Sequence, residues 1–106
     1  MRLSDQQIKN LILALSPFIG SNHAELRLYG SRVSDQLKGG DIDLLLLVEK
    51  ASLTEALCEK KHYILTAIKK KLGDQKIDLL ITDRNKIHED CFLKMITPTS
   101  LHLNTW

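Results

Sequence analysis

Asp41 and Asp43 stand one residue apart, directly ahead of the apolar run Leu44-Leu45-Leu46-Leu47-Val48. On a strand, residues i and i+2 project to the same face, so the two carboxylates point together while Ile42 turns to the other side. Like charges held that close repel, and one is driven toward protonation unless a cation neutralises them. Magnesium meets that need: it prefers hard oxygen ligands, usually one or two carboxylates plus phosphate oxygens of a substrate. Asp78, near the start of another apolar segment, brings a third carboxylate to the same place if the two strands are neighbours. A D-x-D alone reads as an acidic strand edge. Here it is preceded by Gly30-Ser31-Arg32, which ends one strand and opens a short helical turn. Glycine lets the backbone approach a ligand, and the first N–H groups of a helix point at anions. The Ser31 hydroxyl and the Arg32 guanidinium add donors suited to phosphate. A phosphate cradle on one strand end and a cation-binding pair on the next are the two halves of a site for a nucleoside triphosphate. Lys38-Gly39-Gly40 makes the connecting loop flexible enough to bring them together.

The elements that must hold these groups are legible in the spacing of apolar residues. Ser4 with Gln7 forms a capping-box pattern, and Ile8, Leu11, Ile12, Leu15 and Ile19 follow at helical intervals, predicting a helix over 4–19 that ends or bends near Pro17. Glu25-Leu26-Arg27-Leu28-Tyr29 alternates as a strand and stops at Gly30. Leu44 to Val48 is apolar on both parities, the pattern of a central strand covered on both faces. Ser52 with Glu55 predicts a second capped helix carrying the stripe Leu53, Leu57, Ile64, Ala67, Ile68 and Leu72, with Gly73 as its stop. Lys69, Lys70 and Lys71 fall at its C-terminal end, as a solvated helix end or a binding patch. Lys76 to Thr82 reads as a third strand, and 84–96 as a last helix with Ile87, Cys91 and Met95 inward and Pro98 beyond its end. The tail Leu101 to Trp106 adds an edge strand, frays, or docks on a partner. Together these elements predict an α/β (α+β) fold, a small mixed sheet flanked by helices, in one domain spanning 1–106.

Composition excludes several classes. Fifteen basic and thirteen acidic side chains in 106 residues leave a formal charge of +2, too near balance for a nucleic-acid or anionic-membrane binder. Cys58 and Cys91 lack the close pairing of a zinc or redox motif, and the four histidines show no ligand spacing. Two free thiols fit a reducing cytosol. The start of the chain lacks the apolar core of a signal peptide, and no apolar run approaches the roughly 20 residues that span a bilayer, so the expected location is cytoplasmic.

The combination L-Y-G-S-R … K-G-G-D-I-D-L, from Leu28 to Leu44, resembles the signature of the DNA polymerase beta-like nucleotidyltransferase superfamily, in the form of its minimal nucleotidyltransferase (MNT) branch. The resemblance implies a transfer of AMP from ATP onto a hydroxyl with release of pyrophosphate, assisted by two magnesium ions. It implies that Gly30 and Ser31, with Arg32, hold the triphosphate, that Asp41, Asp43 and Asp78 bind metal, and that Asp78 also helps deprotonate the acceptor. The chain departs from the commonest pattern at two points: nine residues separate Ser31 from Asp41, one fewer than usual, and Asp35 stands where many members have glycine. Larger relatives carry an additional helical domain that grips the acceptor, and none is evident here. The MNT branch therefore implies a separate partner, a HEPN-domain ribonuclease toxin whose tyrosine is adenylylated, with this chain as the antitoxin. An antitoxin that neutralises its partner by contact alone is the alternative, and an aminoglycoside-type resistance enzyme is disfavoured by the missing drug-binding half. Apolar surface left over after folding would serve that partner or a homo-oligomer.

Overall fold

The computed structural model describes residues 3–30, 41–73 and 76–106. Its first helix, α1 (Asp5–Ile19), opens on the predicted capping box: the Gln7 N–H donates to Ser4 Oγ at 3.1 Å, and the Ser4 N–H donates to Gln7 Oε1 at 2.9 Å. Pro17 lies inside the helix rather than ending it. Its missing N–H leaves the Leu13 carbonyl without its intrahelical donor, and Leu13, 58 % exposed, faces solvent where water can replace the bond.

After β1 (Ala24–Tyr29) and β2 (Asp41–Val48) come two helices where the sequence predicted one, α2 (Ala51–Glu59) and α3 (Lys61–Leu72). The break has a readable cause. The stripe that buries Leu57, Ile64 and Ile68 requires an apolar residue at 60 or 61, and both are lysine. With no anchor for that turn, the Lys60 N–H pairs with Leu57 O at 3.1 Å and the chain is re-aimed. The Ser52–Glu55 box does not form either; the cap is Lys50, with no side-chain hydrogen bond. Gly73 does end α3, at φ 89°, with Lys69, Lys70 and Lys71 in the last turn.

β3 (Lys76–Asp83) leads into a 3-10 turn (Arg84–His88), then α4 (Cys91–Ile96) and β4 (Leu101–Thr105). The predicted single helix over 84–96 is thus two pieces, each started by its own aspartate. Asp83 Oδ1 accepts from the Asn85 and Lys86 N–H groups, and Asp90 Oδ1 accepts from Phe92 and Leu93. The second cap resets the helical phase. Leu93 and Ile96 turn inward, while Cys91 and Met95, expected in the core, are exposed.

The sheet order is β3-β2-β1-β4. β1 is antiparallel to β2 and β4, and β2 runs parallel to β3, so the sheet is mixed as expected. The tail is resolved in favour of the edge strand: β4 pairs with β1, and the Trp106 indole N–H donates to Ser16 Oγ at 3.0 Å. On one face, Leu26, Leu28, Ile42, Leu44, Leu46, Leu79 and Ile81 pack against α1, α2 and α3. On the other, Tyr29, Leu45 and Leu47 pack against Leu93 and Ile96 of α4. No helix among the described residues is long and apolar enough to cross a membrane.

A polar cluster holds the thinner layer onto the sheet. Glu25 accepts from Arg84 Nη2 at 2.9 Å and from Arg27 Nη1, while Arg27 also donates to Ser100 Oγ at 2.6 Å and Ser100 O at 3.0 Å. Arg84 bridges on to Glu49 Oε1 at 3.0 Å. Burial pushes the Glu25 carboxyl up, but the hydrogen bonds from Arg27 and Arg84 outweigh it and hold the group below its ordinary 4.5. A depressed folded-state pKa means the contribution is present above about pH 4.5 and is lost as pH falls through the folded value. Arg84 is 42 % exposed and therefore screened, so Arg27 carries most of the effect. Glu25→Gln is expected to cost about 1–2 kcal/mol at pH 7 and less below pH 4, read from urea unfolding at the two pH values.

Candidate functional site

Strand register sorts the α4 face into three rows. Glu25, Leu47 and Thr82 are paired across β1, β2 and β3; then Arg27, Leu45 and Leu80; then Tyr29, Asp43 and Asp78. The first two rows enter the polar cluster through Glu25 and Arg27, Leu45, Leu47 and Leu80 make an apolar floor, and the third is the acidic row. Adjacent strands lie about 4.8 Å apart, so Asp43 and Asp78 are immediate neighbours on one face, as the sequence required of them. Asp43 is half-buried and Asp78 exposed. Asp41 lies two positions before Asp43 on β2, in register with Lys76; its side chain lies outside the described residues. Ser31, Arg32 and the Lys38-Gly39-Gly40 loop also lie outside them.

Gly30 closes β1 at φ 77°, a left-handed conformation that favours glycine. It also packs tightly. A Cβ placed there would run into the Asp43 carboxylate, with Cγ at 3.1 Å. The glycine expected to make room for a ligand thus first makes room for a carboxylate of the acidic row, seating Asp43 against the turn.

Two aromatic residues border this row that the functional reading of the sequence did not use. Tyr29 is the aromatic member of the alternating polar set Glu25, Arg27, Tyr29, and that oddity beside Gly30 was its signal. Phe92 had none, because only the reset phase of α4 brings it here. The two rings meet edge to face, centroids 6.0 Å apart at 81°. Burial raises the Tyr29 hydroxyl above its ordinary pKa of 10.0, and the charges of Asp78 and then Asp43 raise it further. Asp78→Asn is therefore expected to move the buried phenol downward in an ultraviolet pH titration.

Beyond Asp78 the strand edge opens into a cavity of about 470 Å³, walled by Tyr29, Leu80, Phe92 and Leu93, with Lys61 and Lys86 also lining it. Among the described residues no group of three or more His, Cys, Asp or Glu is arranged to hold a metal ion. Asp43 and Asp78 nevertheless offer two hard oxygen donors side by side, the donor type that magnesium takes, and Asp41 is the nearest further carboxylate along the chain. No protein-family model and no curated protein matches the chain.

Proposed function

We propose that the chain is a magnesium-dependent nucleotidyltransferase that transfers AMP from ATP to a protein hydroxyl. The observation that supports this reading most strongly is the acidic row: Asp43 and Asp78, in register on adjacent strands of one face, beside the Gly30 turn. In this reading Asp41, Asp43 and Asp78 hold magnesium, which supplies charge neutralisation and activation of the attacking hydroxyl when bound. Gly30, with Ser31 and Arg32, receives the triphosphate. Asp78 accepts the proton of the acceptor hydroxyl. The hydroxyl oxygen bonds to the α-phosphorus, the α–β bridging P–O bond breaks, and pyrophosphate leaves. Such transfers need positioning and charge neutralisation more than covalent chemistry from the protein; a strand-borne carboxylate set would position the magnesium that supplies the neutralisation.

The acceptor in this proposal belongs to a HEPN-domain toxin, and the chain acts in the cytoplasm as its antitoxin. Incubating the purified protein with α-labelled ATP, magnesium and the product of the adjacent reading frame tests it. Label on that product is the expected result; a stable unlabelled complex would replace transfer by neutralisation through contact. That second reading draws on Leu13, Tyr63 and Met95, each more than half exposed and available to a partner.

A further inference from the structure

We infer that the cavity beside Asp78 is a nucleoside pocket, with the ring of Phe92 as the platform for the base; this rests on the nucleotidyltransferase reading and specifies where the rest of the nucleotide sits. The cavity, about 470 Å³, falls within the range of small-molecule sites. Its wall begins at Tyr29, the residue before Gly30, so it adjoins the strand end assigned to the triphosphate, and it includes Asp78 of the acidic row. A nucleotide spanning the two needs a flat apolar surface on the cavity side.

Phe92 is that surface. It is 45 % exposed and lines the cavity, so part of the ring is open to a ligand there. Its edge-to-face contact with Tyr29 engages at most one of its two faces. The backbone that carries the ring is fixed: the Phe92 N–H donates to Asp90 Oδ1 at 2.8 Å, and its neighbour Leu93 is buried. A base stacked there would be bounded by apolar Leu80 and Leu93, with Thr82 and Lys86 supplying polar groups at its edge. Aromatic stacking of this kind tolerates every base and is lost on truncation to alanine.

Calorimetric titration of the full chain with two probes in magnesium, ATP and tripolyphosphate, separates the halves of the site. The wild-type protein is expected to bind ATP more tightly than tripolyphosphate. Phe92→Ala should weaken ATP by roughly 5- to 100-fold and leave tripolyphosphate unchanged. Phe92→Trp should restore ATP affinity and give a tryptophan signal quenched by ATP. Phe92→Leu keeps the apolar volume without the aromatic face; it should behave as the alanine variant does, and it stands in if that variant unfolds. Equal ATP affinity in wild type and both truncated variants overturns the inference, including the case in which transfer is lost and the cavity belongs to the acceptor. Wild type that binds tripolyphosphate as tightly as ATP overturns it too, leaving the transferase reading intact. Wild type that binds neither probe removes both.

Discussion

Replacing Asp41 and Asp43 together by Asn is expected to abolish nucleotidyl transfer, by at least about a thousandfold, while the protein remains folded. The size follows from the role: neutralising the charge of the reacting phosphates is worth several kcal/mol, and each 1.36 kcal/mol is a decade in rate. The fold is expected to survive on the other contacts of the strand. β2 is held by backbone pairing to β1 on one side and β3 on the other, and by Ile42 and Leu44, both fully buried. The amide is nearly the same size and keeps a carbonyl acceptor, so what is removed is charge. Circular dichroism and thermal unfolding check the fold, and label transfer from ATP checks the chemistry. Transfer that persists in the double variant would remove the acidic row from the mechanism. Neutralisation of the partner that persists without transfer would favour contact over catalysis.

How much of this was legible before any coordinates depended on whether the signal was local. The capping box at Ser4, the central strand at Leu44–Val48 and the stop at Gly73 are each written within a few residues, and each formed as read. The convergence of Asp43 and Asp78 was conditional on strand order, which no local pattern specifies; the parallel β2–β3 pairing supplies it. The two misread helices differ in kind. The stripe Leu53, Leu57, Ile64, Ala67, Ile68 and Leu72 lies on the core as expected, and only its cap and its continuity through Lys60 failed. The stripe through Ile87, Cys91 and Met95 lost its phase to a new start at Cys91. Phe92 was invisible for that reason, since its position beside Tyr29 exists only in the reset phase.

Gly30→Ala is expected to do more damage than its one added methyl group would indicate, and a second glycine provides the control. At φ 77° a non-glycine residue pays about 1–2 kcal/mol for the backbone alone. Gly20, at φ 61°, is also at positive φ but has nothing within 4 Å of where its Cβ would lie. Gly20→Ala should therefore lose stability and keep transfer. Gly30→Ala should lose stability and also displace the Asp43 carboxylate, which lies where the methyl would go. A shift of about 1 Å in a positioning group costs on the order of 100-fold in rate, so transfer should fall by about that factor. The contact itself can be isolated: in an Asp43→Ala background the obstruction is gone, and Gly30→Ala should then cost less than it does in the wild type. A Gly30 penalty unchanged in that background, measured by urea unfolding, would mean the backbone conformation alone demands the glycine. A penalty that shrinks there would mean that Asp43, lying against this position, adds to the backbone's demand for glycine.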